Sequence, residues 1–339
     1  MMTLSRSIVT AFAVAAGSLS LAKTARAQSP ETAMREFAST QVKKGVRPIG
    51  MGGDGATWGN YSLVYRDSGT ALVDVGVTDY ASGNKFTFTA VGFTSPSLWH
   101  NLAIYGIALS QHATNINTTL NAPLNGDGEL VHGSGADQGL FFKAAMPIAS
   151  GWSAGAMLSY ELSQFDATGA STGVPVHYET QWRPSGGFGL TWQPLSRFLL
   201  GSRMILNTDR EFRRDGNLEA SGTAKSFEWR FGGSVAPWSG ALFDVGGTRV
   251  ARTNGLSGRK STLIDPNIGF EQAFLSGNFV LRTGHDETAT TGGFTVRNGR
   301  LKADVAYVDG LGLARAGTIF GAHSRSVIVT FMYDYRAKR

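Results

Sequence analysis

Cysteine is absent from this sequence of 339 residues, which excludes disulfide bonds, thiolate metal ligands and cysteine nucleophiles. Long apolar runs are also scarce, because no stretch after Gln28 approaches the roughly 20 consecutive apolar residues that a spanning helix needs. Neither sign of charge dominates, since 31 lysines and arginines stand against 25 aspartates and glutamates. We therefore expect neither a helical membrane span nor a nucleic-acid partner.

The first 27 residues have the layout of a secretory signal peptide. Arg6 precedes the apolar run IVTAFAVAAGSLSLA, and Ala25-Arg26-Ala27 forms a small-x-small cleavage site. Cleavage there removes three basic residues and lowers the formal net charge from +6 to +3. The sequence thus predicts a signal peptide over residues 1–27 and an exported mature chain.

Glycine and aromatic residues are abundant: the chain has 44 Gly, 20 Phe, 7 Trp and 9 Tyr. From about residue 70 onward, apolar residues recur with period two, the spacing of a β-strand with two unlike faces. In SFEWRFGGSV, for example, Phe227, Trp229 and Phe231 alternate with charged or small residues. Similar alternation occurs over residues 152–162, 301–307 and 326–335.

Short turns and longer polar segments separate these strands in alternation, which is typical of an outer-membrane β-barrel. We therefore predict an all-β fold, a transmembrane antiparallel β-barrel of about 14 strands over residues 70–335, with 12 strands as the second choice. Residues 336–339 then form a periplasmic tail. A soluble sandwich also has alternating strands, but an aromatic last strand favours a closed barrel, which has no free edge. The longer segments are predicted as loops at 113–136, 167–181, 208–224, 252–260 and 309–322.

The stretch RPIGMGGDG, residues 47–55, contains the spacing G-x-G-x-x-G of dinucleotide-binding loops. Such a loop requires a hydrophobic strand before the glycines and a helix starting at them. Here TQVKKGVRPI precedes the motif, and Gly59-Asn60 interrupts any helix that follows. A nucleotide site is therefore not predicted.

The same stretch resembles the N-terminal segment of the FadL-like superfamily of outer-membrane transport barrels, which carry hydrophobic compounds such as long-chain fatty acids. Those proteins typically show R-x-x-G-M-G-G-A, and the matching residues here are Arg47, Gly50, Met51, Gly52 and Gly53. Asp54 stands where alanine is usual. The resemblance implies a fourteen-stranded barrel in which residues 28–69 fold into the lumen as a plug, or hatch. A free periplasmic tail is the alternative, because chain termini often fray.

Alternation also assigns side chains to the lumen. Mixed charges are predicted there, at Lys143, Glu161, Arg203, Glu228, Arg230, Asp265, Glu271, Arg282 and Asp304, where neighbouring strands can pair them. Four apolar residues are assigned to the same side, as a candidate patch for an apolar ligand: Val91, Phe93, Ile107 and Leu109. Filling and rigidifying the interior is the plainer role for the charges.

These features favour passive transport of small hydrophobic molecules, of fatty acid or aromatic hydrocarbon type, across the bacterial outer membrane. The resemblance implies release through a gap in the wall, and Pro266 or Gly186-Gly187 are candidate positions. Outer-membrane lipid and lipopolysaccharide are the expected partners, through basic loop residues, beside a hydrophobic small-molecule ligand. A structural or partner-binding barrel remains the alternative, and the sequence does not set the oligomeric state.

An enzyme is not predicted. His132-Gly133-Ser134 places a histidine and a serine on one face, but no residue is assignable to orient the histidine. The remaining histidines have no metal-ligand spacing, so neither a metal nor a cofactor is expected.

Overall fold

The computed structural model describes residue 51 and residues 69–80, 83, 85–99, 101–121, 128–253, 255–256, 258, 260–286, 289–310 and 324–336. The predicted signal peptide and most of the predicted plug lie outside these residues. None of the described residues forms a helix long and apolar enough to cross a membrane.

The described residues form fifteen β-strands and one 3₁₀ turn, Leu275–Gly277. The strands are β1 (Gly69–Tyr80), β2 (Lys85–Trp99), β3 (Leu102–Asn121), β4 (Gly128–Ala149), β5 (Trp152–Gly169), β6 (Pro175–Thr180), β7 (Arg183–Leu195), β8 (Phe198–Asp215), β9 (Leu218–Val235), β10 (Ala241–Thr253), β11 (Lys260–Phe274), β12 (Phe279–Asp286), β13 (Ala289–Asn298), β14 (Leu301–Gly310) and β15 (Ser324–Arg336).

The sheet closes on itself as an antiparallel barrel, because β1 pairs with β15 on one side and with β2 on the other. β6 and β7 both lie between β5 and β8, so they are two pieces of one strand. Their pairing with β5 shifts by one residue, from Gln164 opposite Glu179 to Glu161 opposite Arg183. This is a β-bulge at residues 181–182. The barrel therefore has fourteen strand positions, as predicted.

The two faces of the wall differ sharply in character. Side chains on the outer face are largely apolar and exposed, such as Leu140, Phe142, Phe188 and Phe331. Two aromatic stacks mark the edges of this apolar belt: Trp152 on Trp192, with ring centroids 5.5 Å apart, and Tyr160 on Trp182, at 5.0 Å. Eight residues of one strand separate the two levels, roughly 26 Å at strand rise. Because strands of membrane barrels tilt by about 40°, this distance along the strand corresponds to a belt on the order of 20 Å tall. An apolar belt with aromatic borders is typical of a transmembrane β-barrel.

The two ends of the barrel also differ. The turns at 150–151, 196–197 and 299–300 lie at the end of the barrel where β1 starts and β15 ends. We call this the turn end. At the opposite end, the loop end, β3, β4, β5, β8 and β9 reach 18 to 22 residues and rise beyond the apolar belt. We call this part of the wall, together with β6, which lies between the extended ends of β5 and β8, the wall extension.

The wall extension corrects the loops predicted at 113–136, 167–181 and 208–224, because most of these residues are in strands. Above the belt, the faces exchange character. Phe165 and Tyr178 point inward and are buried, whereas Asp166 and Arg214 point outward. A polar outer face without an apolar belt has the composition of a loop, and for that reason the prediction failed.

Candidate functional site

Cross-strand pairing fixes which side chains share a face, since partners directly opposite each other point the same way. By this criterion, the structure places all nine predicted luminal charges on the inner face: Lys143, Glu161, Arg203, Glu228, Arg230, Asp265, Glu271, Arg282 and Asp304. These residues do not form one group. Most of them lie on β8 to β14, on one side of the lumen.

Arg282 on β12 is the centre of the larger charged group. Its Nε donates to Glu271 on β11 at 2.7 Å, and its Nη2 donates to Thr295 on β13 at 2.5 Å. Nη1 lies 3.5 Å from Asp304 on β14, which also accepts from Thr295 and pairs with Lys302 Nζ at 2.8 Å. Four adjacent strands are thus tied together from inside the barrel. Buried charges with this many partners rigidify a wall.

A second group lies on β8 and β9. Arg203 is directly opposite Arg230, and both guanidinium groups are buried. Glu228 bridges them, because its Oε1 accepts from Arg230 Nε at 2.5 Å and lies 3.9 Å from Arg203 Nη2. The carboxylate offsets the repulsion of two like charges in register.

The opposite side of the lumen is mostly apolar, although Gln111, Asp137 and Glu161 also point inward there and are buried. Inward-facing side chains of β2 to β6 contribute most of one contiguous hydrophobic cluster, which also reaches Ile205, Val308 and Ile328 on other strands. We call its β2 to β6 part the apolar track; the larger members are Phe86, Phe88, Ile107, Leu109, Ile116, Phe141, Met157, Phe165, Val176 and Tyr178. It extends from the wall extension into the barrel. At its inner end Lys143 Nζ lies over the ring of Tyr105, 4.5 Å from the centroid. Ammonium over an aromatic face is a favourable contact.

Two of the four residues predicted to form an apolar patch in the lumen do not face the lumen. Ile107 and Leu109 belong to the apolar track, but Val91 and Phe93 are 52% and 42% exposed and lie on the outer face. Phe86 and Phe88, which the prediction missed, are the inward residues of the same strand. In FTFTAVGF the large apolar residues change parity after Ala90, so that the strand is apolar on both faces. Alternation cannot identify the inner face of such a strand.

The loop between β10 and β11 enters the mouth of the barrel. Gly255 N donates to Glu211 Oε2 at 3.0 Å, and Leu256 packs against the apolar track. Tyr178 donates its hydroxyl to the same glutamate at 3.3 Å. A Cβ on Gly222 would overlap the backbone of Gly255. This loop therefore partly covers the apolar track at the mouth of the barrel.

Met51 is the one residue of the predicted plug motif that lies among the described residues. It is fully buried and sits against the inner face of β11, where a Cβ built on Gly269 would lie 2.8 Å from Met51 Cβ. The lack of a side chain at Gly269 makes this close approach possible. The other motif residues, Arg47, Gly50, Gly52 and Gly53, lie outside the described residues.

The candidate wall breaks do not interrupt the sheet. Pro266 is in register with Gly247, and Gly186-Gly187 are in register with both neighbouring strands. Pro266 lies just beyond Asn267, the last β11 residue that pairs with β12. Among the described residues, the wall is therefore continuous at both candidate positions, and a gap at either stays a prediction.

His132 and Ser134 lie on the outer face of β4, in the wall extension. Asp166, which is directly opposite Ser134, binds His177 Nδ1 at 2.6 Å. The carboxylate therefore orients His177. Within the described residues, no group of three or more histidines and carboxylates is arranged to hold a metal.

No family model and no curated protein matches this sequence. Solved structures match its fold. The Pseudomonas putida toluene transporter TodX superposes with a TM-score of 0.59 at 10% identity, over 85% of this chain and 97% of that one. The monoaromatic hydrocarbon channel CymD gives 0.55 at 12% identity, over 88% and 99%. A Pseudomonas aeruginosa FadL homologue gives 0.54 at 9% identity, over 91% and 98%. This chain therefore has the fold of the FadL-like outer-membrane barrels.

Proposed function

We propose that this barrel, with its FadL-like fold, carries small hydrophobic molecules passively across the bacterial outer membrane. The observation that carries the proposal is the apolar track, a buried hydrophobic cluster on the inner face of β2 to β6, whereas most of the predicted luminal charges lie on β8 to β14. Porin interiors are ordinarily polar. An apolar inner surface can bind hydrophobic solutes, which dissolve poorly in water and cross the polar lipopolysaccharide layer slowly.

The expected binding is weak, as a conduit requires. A solute that buries roughly 100 Å² of apolar surface against the apolar track gains about 2.5 kcal/mol. That is enough to attract a hydrophobic molecule into the lumen without trapping it there. Fatty acids and aromatic hydrocarbons are the solute classes we propose, the latter in line with the toluene and monoaromatic hydrocarbon channels of the same fold.

Residues 28–69 are proposed to act as a hatch in the lumen. The position of Met51 against Gly269, on the inner face of β11, supports this role. With the short turns facing the periplasm, as in bacterial barrels of this kind, the hatch enters from the periplasmic end. Deletion of residues 28–60 is then expected to accelerate uptake.

A matched pair of variants tests transport. Phe141 points into the lumen and is fully buried, whereas its neighbour Phe142 points outward and is 53% exposed. In liposomes containing the purified barrel, Phe141→Ser is expected to slow uptake of a hydrophobic fluorescent tracer several-fold, because it interrupts the apolar track. Phe142→Ser, which loses the same atoms on the outer face, is expected to leave the uptake rate unchanged.

Equal rates for both variants would contradict a role for the apolar track. Absence of tracer uptake by the folded wild-type barrel, with and without residues 28–60, would contradict transport altogether. The second candidate, binding of a partner at the cell surface, would then be favoured. It draws its support from the polar outer face of the wall extension, which includes His132, Asp166, His177 and Arg214.

A further inference from the structure

The outer face of β8 to β11 carries a cluster of cations at the loop-end border of the apolar belt. Lys225 on β9 and Lys260 on β11 flank Thr253 of β10 in one cross-strand row. Arg210 on β8 lies one row above, diagonal to Lys225. All three cationic side chains are exposed. Lysines separated by one intervening strand lie roughly 10 Å apart at the backbone.

Arg249 on β10 extends the cluster toward the membrane. Its cross-strand partners are Trp229 and Ile264, and the next residue in the row is Met204, all apolar and exposed to the outside. A guanidinium on a lipid-facing row is costly unless its head reaches the polar interface. To reach that interface, the side chain must extend along the wall toward the row of Lys225 and Lys260.

Carboxylates do not neutralise this cluster. On the described part of β8 to β11, Glu219 is the single outward-facing carboxylate, and it lies opposite Arg214 near the top of the wall extension. Glu179, on the adjacent strand β6, is within 3.6 Å of His177; it lies opposite Phe212 and is therefore diagonal to Arg210, at the edge of the cluster. The outer face of these four strands therefore holds five cations and one anion, counted from the sequence and the register.

The other side of the barrel provides a contrast at the same end. There, Asp309, Arg325, Asp79 and Lys85 follow one another across β14, β15, β1 and β2 in one outward-facing row. Lys85 Nζ lies 4.0 Å from Asp79 Oδ1. The charges alternate and sum to zero. On the described outer face of β8 to β11, by contrast, Lys225, Arg249 and Lys260 have no carboxylate directly opposite them.

We propose that Arg210, Lys225, Arg249 and Lys260 form a binding site for the phosphorylated headgroup of lipopolysaccharide in the outer leaflet. The site lies at the border of the apolar belt, where the headgroup of a lipid packed against the wall is placed. Four cations on four adjacent strands, two of them roughly 10 Å apart at the backbone, match a glycolipid with more than one phosphate better than a phospholipid with one. The inference is independent of whether the barrel transports.

The test measures binding of purified lipopolysaccharide to the full-length, delipidated barrel in detergent. The triple variant Lys225→Ala/Arg249→Ala/Lys260→Ala is compared with Lys85→Ala/Arg325→Ala, which removes two cations from the balanced row. Each lost cation is expected to weaken binding about fivefold, and three on the order of 100-fold. The balanced-row variant is expected to bind like the wild type. Heat-modifiable gel mobility verifies that each variant is folded.

Further arms identify the ligand chemistry. Dephosphorylated lipopolysaccharide is expected to bind as weakly to the wild type as intact lipopolysaccharide binds to the triple variant. The proposal would be overturned if the wild-type barrel bound dephosphorylated and intact lipopolysaccharide with the same affinity. If phosphatidylglycerol bound as tightly as lipopolysaccharide, and lost its affinity in the triple variant, the assignment to the glycolipid would be overturned. If the triple variant fails to fold, the single variant Lys225→Ala takes its place, and an unchanged affinity there would likewise contradict the site.

Discussion

Replacement of Arg282 by methionine is expected to destabilise the barrel strongly. The guanidinium connects Glu271, Thr295 and Asp304 from inside the wall, and both carboxylates are almost fully buried. Methionine fills a similar volume but supplies no donor. The substitution therefore leaves Glu271 without its close cationic partner at 2.7 Å, in a place where water cannot easily replace it.

Removing one partner of a buried ion pair costs about 3–5 kcal/mol, because a desolvated charge is left behind. We expect the lower end of that range, since Asp304 keeps Lys302 Nζ at 2.8 Å. Arg297→Met is the control: this arginine contacts Asp334 at 3.1 Å, but its side chain is 44% exposed. Solvent screening limits such a pair to below about 1 kcal/mol.

The free energy of unfolding is measured by denaturant titration of the barrel refolded in lipid vesicles, with tryptophan fluorescence as the signal. The double variant Arg282→Met/Glu271→Leu is expected to recover part of the loss, since it removes the orphaned carboxylate as well. A loss below about 1 kcal/mol for Arg282→Met, or no recovery in the double variant, would refute the proposed organisation of this charged group.

Two further predictions concern close approaches that only glycine permits. Gly222→Val is expected to displace Gly255 and Leu256 from the mouth and to accelerate tracer uptake into liposomes, whereas Gly186→Val, which has open space around its Cβ, is expected to change nothing. Equal uptake by both variants would show that the loop does not restrict the mouth. Gly269→Val is expected to expel Met51 and to match the uptake of the barrel lacking residues 28–60, with Gly292→Val as the unobstructed control. Wild-type uptake by Gly269→Val would contradict a hatch fixed at this point.

Within the apolar belt, local sequence was sufficient to predict the strands and their number. Each wall residue there meets either lipid or the lumen, so that in most strands apolar and polar or small side chains alternate. This period of two is clear in β5, where Leu158 and Tyr160 face outward, and in β9, where Trp229 and Phe231 do so. The same alternation placed the nine luminal charges on the face where the register has them.

The wall extension and the apolar track depended on the tertiary structure. Above the belt no lipid marks the outer face, and Phe165 points inward beside an outward Asp166, the reverse of the order within the belt. In β2, where Phe88 and Val91 lie on opposite faces, parity was ambiguous until pairing with β3 decided it.

The sequence alone thus determined the barrel, because a period of two is a property of each strand by itself. Register and closure are properties of several strands at once, and a shift of one residue exchanges the two faces. Only the assembled sheet therefore decided that Phe86 and Phe88 line the lumen, that Arg282 reaches Asp304, and that Lys225 and Lys260 share one outward row.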